Sequence, residues 1–381
     1  MPIVDRTVRR LTQAFIHLDH LTHNLRLLQK QAGGTQVWPV LKANAYGHDA
    51  AMVAAHLARL GCHTLCVADV EEAIALIDGG SRATFIILSA TLPQHCEAMV
   101  VYDCQPVVCT LEMVEALAAV GKKFGKRVSV HVKVDTGMGR LGIPPDMLAT
   151  FLDHCRNFPE IQVRGLMSHF PRADEADQSY SIAQLARFRR VVELTKHFGI
   201  KTYHMANSAA IFALADSHFD AVRPGIALYG LQPAAIAHGA ASELKPVLEL
   251  KSQVIFLKEV AAGVGLSYGH AFHTQRPSLI ATLPIGYGDG LSRNLSGRVE
   301  VLLRGVRCPQ VGRVTMDMSL IDVTALRGQI ELGDEAVIIG RQGTEEISAD
   351  ELASKLGTIN YEIVTGISHR VPRVAVENNA E

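Results

Sequence analysis

Lys42 stands at the end of an apolar run, Val37-Trp38-Pro39-Val40-Leu41, that reads as a buried strand. A lysine at the mouth of a buried strand loses part of its hydration. That disfavours the ammonium form and frees the amine for Schiff-base chemistry. The plainer role for such a lysine is to carry its charge out to water. Similar positions recur downstream: Lys133, Asp135 and Arg140 follow one apolar run, and His169 ends the next. His204, Asn207 and Ser208 follow a third, and Arg223 and Gly225 a fourth. Reactive groups drawn from five strand ends suit a single catalytic mouth. A serine hydroxyl with backbone N–H groups at a helix start suits phosphate, and glycine lets the backbone come close to it. An ordinary helix cap is the alternative role for Ser208.

These groups need a frame. Strand-like runs at residues 37–41, 65–68, 84–88, 105–109, 128–134, 163–169, 202–205 and 219–223 alternate with helical patterns. Eight strands separated by helices predict an α/β fold, a (β/α)8 TIM barrel, over residues 12–240. Its active site belongs at the C-terminal ends of the strands. Helices are predicted at 111–120 and 182–198, the latter with Leu185, Phe188, Val192 and Leu194 near one face. Residues 234–241 are mostly small and read as a linker. Beyond them, β-rich runs at 248–260, 278–284, 299–303, 319–323 and 336–340 predict a mostly β C-terminal domain over 241–381, with residues 1–11 a candidate to pack on it. Ser348 reads as the cap of a short helix.

The chain has 381 residues, 48% hydrophobic, and a formal net charge of -1, which leaves no basic field for nucleic acid. No apolar run is long enough to span a bilayer, and the N-terminus has no apolar secretion core, so a cytoplasmic location is expected. The seven cysteines are scattered without zinc-ligand spacing and read as reduced thiols; no metal is expected.

Lys42-Ala43-Asn44-Ala45-Tyr46-Gly47-His48 resembles the pyridoxal-phosphate lysine motif of the alanine racemases. Asp135-Thr136-Gly137-Met138-Gly139-Arg140-Leu141-Gly142, Asn207-Ser208-Ala209-Ala210 and Arg223-Pro224-Gly225-Ile226-Ala227-Leu228-Tyr229-Gly230 are similar to further barrel motifs of that family. So, in the second domain, are Leu266-Ser267-Tyr268-Gly269, Ile285-Gly286-Tyr287-Gly288-Asp289-Gly290, Val311-Gly312-Arg313-Val314-Thr315-Met316-Asp317 and Thr358-Ile359-Asn360-Tyr361-Glu362.

The resemblance implies a pyridoxal 5'-phosphate (PLP) enzyme that interconverts L- and D-alanine by a two-base mechanism on the cofactor's aldimine. It implies that Lys42 carries the cofactor and serves one face of Cα, and that Tyr268 of a second subunit in a homodimer serves the other. Arg223 would meet the pyridine nitrogen, and Arg140 the phenolic oxygen and the substrate carboxylate. His169 would contact the cofactor and tune Tyr268. Tyr46, Asn207, Ser208, Gly225, Ile226 and Tyr361 would hold the cofactor, and Met316 and Asp317 the substrate. Lys133 matches a position that is carbamylated in many relatives; a plain pair with Asp135 is the alternative. Asp174, Arg293, Arg313, Ile359 and Tyr361 would line the entrance, or simply form a solvated rim. Thr315 stands where cysteine is common, and His369 also departs from the usual pattern.

The chemistry asks for these types. Racemisation removes a proton from one face and returns one to the other, so each base must lie within hydrogen-bond reach. Tyrosine normally titrates near pKa ~10, and cationic Arg223 and a protonated His169 are expected to stabilise its phenolate. Arginine at the ring nitrogen, always charged, makes a weaker electron sink than a carboxylate partner would and is expected to limit side reactions. Other readings are a serine or broad-specificity racemase, a D-amino-acid aldolase or dehydratase, a decarboxylase, and a PLP-binding regulatory barrel. The last lacks a second domain; decarboxylases carry a cysteine motif that Thr315-Met316-Asp317 does not resemble.

Overall fold

The computed structural model describes residues 10–233 and 239–377. These divide into two compact units, one of residues 20–233 with 239–245, the other of residues 10–19 with 246–377.

The first unit is a parallel (β/α)8 barrel. Its strands in chain order are Gln36–Val37, Thr64–Val67, Thr84–Ile87, Gln105–Val108, Val128–Lys133, Ile161–Met167, Thr202–His204 and Ala221–Val222. The first pairs with the eighth, and the second to eighth pair in succession. A parallel bridge between Val40 and Cys66 closes the ring. Every strand expected from the sequence is present. The reason is legible in burial: Leu65, Cys66 and Val67, then Phe85, Ile86 and Ile87, are all at most 1% exposed. Strands covered on both faces need continuous apolar runs. Helix starts are set by side-chain caps. Asp69 accepts from the Glu72 N–H and Thr110 from the Met113 N–H, contacts each worth about 1 kcal/mol.

Two expectations shift. The helix predicted at 182–198 runs Ser179–Thr195, followed by a 3-10 turn. Its buried face holds Leu185, Phe188 and Val191, while Leu194 is 67% exposed. Residue 194 lies three after Val191, but off the stripe that Ser181, Gln184 and Leu185 begin. The expected linker lies partly outside the described residues, at 234–238; Gly239–Glu243 forms a 3-10 turn.

The second unit is built on a ten-stranded, mostly antiparallel sheet. Gln13–His17 runs antiparallel to Leu248–Gln253 and parallel to Arg373–Val376, so both ends of the described chain lie in this sheet. The run at 248–260 splits at Val254. Leu248–Gln253 pairs with Glu335–Gln342, whereas Phe256–Val260 forms the far edge beside Ser278–Leu283. Val306–Val311 is a strand that the sequence hides, because Pro309 within it argues against one. Ser348 caps Ala349–Leu356 by accepting from the Glu351 N–H. Residues 1–9 lie outside the described residues; Arg10 forms a 2.6 Å ion pair with Asp289, which is fully buried. No helix among the described residues is long and apolar enough to cross a membrane.

Candidate active site

Lys42 opens a turn of unusual hand. Ala43, Asn44 and Ala45 have φ of 53°, 54° and 55°, with ψ of 52°, 48° and 49°. Tyr46 follows at φ 53°. The segment is thus a short left-handed helical turn, a conformation that costs L-residues roughly 1–2 kcal/mol each. Such strain persists only where the surroundings impose it. Here Glu72 does so: one carboxylate oxygen accepts from the Ala43 N–H at 2.6 Å and the other from the Ala68 N–H at 2.7 Å. Asn44 accepts from the Ala50 N–H at 2.8 Å. Burial lowers the Lys42 pKa, the Arg140 charge lowers it further, and Glu72 opposes both. The net shift favours the neutral amine.

Around Lys42 the barrel gathers positive charge. Lys133, 3% exposed at the end of the fifth strand, is brought down to about 8 by burial and by the charges of Arg223 and Arg140. Among the described residues it has no ion-pair partner. Asp135 does not pair with it at close range. Burial raises the Asp135 carboxyl, but the N–H groups of Gly137, Gly139 and Met138 outweigh that and hold it low. Arg140 lies exposed in the following loop.

Arg223 is 3% exposed, at the end of the eighth strand. Its fork donates to His204 Nδ1 at 2.5 Å, to the Ser168 carbonyl at 2.8 Å and to the Met205 carbonyl at 3.2 Å. Burial brings it to about 10, so it stays charged at neutral pH. His169 Nδ1 lies 3.5 Å from the same guanidinium. The expectation of a protonated His169 is corrected here. Burial first, then the charges of Arg223, Lys133, Arg140 and Lys42, hold it well below the ordinary histidine value. A second cation beside Arg223 is too costly, so this imidazole is neutral.

The eighth-strand loop makes a cradle. The Ser208 hydroxyl accepts from the Gly225 N–H at 2.9 Å and the Ala227 N–H at 3.2 Å. Ser208 is therefore not the helix cap. Asn207 takes that position, accepting from the Ala210 N–H at 3.1 Å. Ile226 opens a 3-10 turn, where the first amides have no partner inside the turn. A Cβ on Gly225 would collide with the Tyr46 hydroxyl, so only glycine admits that hydroxyl. Tyr46 is 7% exposed and lies against the Tyr229 ring, whose hydroxyl donates to the Val40 carbonyl.

The β-rich unit carries the remaining candidates. Tyr268 is 71% exposed and follows Ser267, itself at φ 62°. The Ser267 hydroxyl donates to the Arg313 carbonyl at 2.7 Å. The Met316 side chain is exposed, and its carbonyl accepts from the Gly288 N–H at 2.9 Å. Asp317 accepts from Arg370 at 2.6 Å. Tyr361 lies in the helix Asn360–Thr365.

Several residues that shape the site escape sequence reading. Glu72 has no motif to announce it. His131 had a weak signal: it lies two before Lys133 in a strand, hence on the same face. It bonds His204 Nε2 through Nδ1 at 2.9 Å and Gln105 Oε1 through Nε2 at 3.0 Å.

A buried group of cations with few anions, a lysine of lowered pKa and a backbone cradle built on Gly225 fit an anionic carbonyl compound that the lysine can capture. The comparisons with known proteins point the same way. The family model for the alanine racemase N-terminal domain matches residues 16–233, and that for the C-terminal domain residues 247–375. The chain is 43% identical over 377 residues to the alanine racemase of Sorangium cellulosum, covering 96% of this chain and 98% of that protein. It is 39% identical over 368 residues to that of Clostridium novyi, covering 96% and 95%. Among solved structures, alanine racemase of Clostridium difficile aligns at a TM-score of 0.93, with 34% identity and 98% and 97% coverage. The Bartonella henselae alanine racemase, solved with covalently bound pyridoxal phosphate, aligns at 0.86, with 30% identity and 97% and 100% coverage.

Proposed function

The chain belongs to the alanine racemase family and interconverts L- and D-alanine; we propose that it does so with pyridoxal phosphate held on Lys42, and with Tyr268 of a partner subunit as the second acid/base. The observation that carries this reading is the lowered pKa of Lys42 beside the Ser208–Gly225 cradle and buried Arg223.

When bound, pyridoxal phosphate supplies the electron sink that makes the alanine Cα–H acidic. The protein supplies everything else. Ser208, Gly225, Ile226 and Tyr46 would hold the phosphate, and the family resemblance adds Tyr361. Arg223 would meet the ring nitrogen with a charge that does not accept a proton. Arg140, with the Met316 N–H reaching across the dimer interface and Asp317 beside it, would take the substrate carboxylate. Lys42 moves a proton on one face of Cα and Tyr268 on the other. Each needs only a short transfer, because the two bases approach from opposite sides.

Tyr268 supports the dimer by its exposure. At 71% accessible it lies in water in a single chain. A base that must exclude solvent needs a cover, and a second copy brings one. Met316 and Tyr287, 51% and 43% exposed in the same unit, suit burial in that interface.

Lys133 carries a carbamate in this reading. Its amine, at about 8, attacks carbon dioxide; an N–C bond forms and a proton leaves to water. The product is an anion beside Arg140 and Arg223, where no carboxylate among the described residues lies at ion-pair distance. Labelled bicarbonate should give a carbamate carbon signal that Lys133→Ala removes. Free cysteines suit a cytoplasmic enzyme, which either supplies D-alanine for peptidoglycan or degrades it.

The test is direct. Loaded protein with L-alanine in heavy water should yield D-alanine carrying deuterium at Cα, read by chiral chromatography and mass spectrometry. Borohydride reduction should fix the cofactor on the Lys42 peptide. Lys42→Ala should lose both. Tyr268→Ala should stop racemisation but leave slow exchange on one enantiomer; exchange on both would sink the two-base assignment.

A further inference from the structure

The barrel interior holds a chain of hydrogen bonds that the reaction as described does not use. Arg223 donates to His204 Nδ1 at 2.5 Å, His204 Nε2 meets His131 Nδ1 at 2.9 Å, and His131 Nε2 meets Gln105 Oε1 at 3.0 Å. Both imidazoles are wholly buried. The direction of this chain follows from its first member. A guanidinium only donates, so His204 Nδ1 must accept. A neutral His204 then carries its proton on Nε2 and donates to His131 Nδ1. His131 must in turn carry its proton on Nε2 and donate to the Gln105 oxygen. Turning the Gln105 amide round would reverse His131 and set two N–H groups against each other at 2.9 Å.

The fold is arranged to allow this. His131 and His204 come from the fifth and seventh strands, with the sixth between them. On that sixth strand, opposite His131, stands Gly165. A Cβ at Gly165 would collide with His131 Nδ1, so the missing side chain opens the gap through which the two rings meet. Trp38 packs its ring edge-on to both, with centroids 5.9 Å from His131 and 5.0 Å from His204. In such barrels apolar branched side chains dominate the interior layers. A histidine pair there is costly unless every polar atom is satisfied, and here all four ring nitrogens are.

We propose that His131 and Gln105 are positioning residues for Arg223: by fixing the His204 tautomer they keep its Nδ1 lone pair aimed at the guanidinium and so hold the fork in one rotation. Burial, with the charges of Arg164 and Arg223, brings His131 to about 3, and His204 is likewise held well below its ordinary value by burial and by Arg223. Both shifts agree with neutral rings. The inference deepens the reading above, in which Arg223 faces the cofactor ring nitrogen.

Ring nitrogen NMR on protein labelled with 15N-histidine tests it without reference to turnover. Two rings, assigned with His131→Asn and His204→Asn, should show Nε2–H tautomers and stay unchanged between about pH 5 and 8, the window in which an ordinary histidine titrates. Gln105→Leu removes the terminal acceptor and should change a tautomer or start a titration. In the loaded enzyme it should also shift the cofactor absorbance and lower kcat roughly tenfold, the scale of loss when a residue that orients a functional group is removed, with KM little changed. Gln105→Glu keeps an acceptor and should restore the tautomers. A ring that titrates near neutrality in the unmodified protein overturns the proposal. So does a Gln105→Leu protein with unchanged tautomers, absorbance and kcat. Failure of the cofactor to attach at Lys42 would instead count against the functional reading, since the tautomers are measured without it.

Discussion

Lys42 must lose its proton before it can capture a carbonyl, and its neighbours set the pH at which it does so. Arg140 lowers its pKa and Glu72 raises it. The rate at which cofactor-free protein takes up pyridoxal phosphate should therefore rise with pH and level off below the ordinary lysine value. Arg140→Ala removes a charge that disfavours the ammonium, so the rise should move to higher pH. Glu72→Gln removes a charge that favours it, so the rise should move to lower pH. Stopped-flow absorbance across pH measures both, and equal profiles would show that neither charge is felt at Lys42. Reactive types at strand ends made Lys42, Arg223 and His169 readable from sequence. The charge state of His169 was not, because it depends on which cations crowd it in space. Glu72 was also hidden: it lies 29 residues from Ala43 and acts through a backbone N–H that no side-chain motif records.

Two loops hold the site, and each depends on one local feature. The left-handed turn after Lys42 is held from outside by Glu72 and from within by the Asn44 side chain. The cradle depends on Gly225, whose missing Cβ leaves room for the Tyr46 hydroxyl. Gly225→Ala should cost about 1–3 kcal/mol through overpacking and weaken cofactor binding much more than it lowers the melting temperature. Titration by absorbance, beside a thermal melt, separates the two effects; unchanged affinity would mean that the cradle lies elsewhere. The eight barrel strands were legible because burial on both faces leaves unbroken apolar runs. Gln13–His17 was not: it is five residues long, and its partners, Leu248–Gln253 and Arg373–Val376, are hundreds of residues away. Val306–Val311 was masked by Pro309. The split of residues 248–260 depends on a change of partner at Val254, whose N–H bonds the Asp334 carbonyl.

At the scale of the whole molecule, the account requires two chains for one site. A net charge of -1 argues against a nucleic-acid field, but no feature of one chain's sequence fixes which surface meets a copy of itself. The exposure of Tyr268 is the structural pointer. Subunit mixing tests it. Lys42→Ala keeps Tyr268, and Tyr268→Ala keeps Lys42, so each protein alone should be inactive. In a mixed dimer, one site receives Lys42 from one chain and Tyr268 from the other and is intact, while the second site lacks both. Random exchange of equal amounts makes about half the dimers mixed, each with one working site of two. Racemisation should then return to about a quarter of the unmodified rate per chain, by that same symmetry. No recovery, from chains shown by differential tags to have exchanged, would contradict a base supplied in trans.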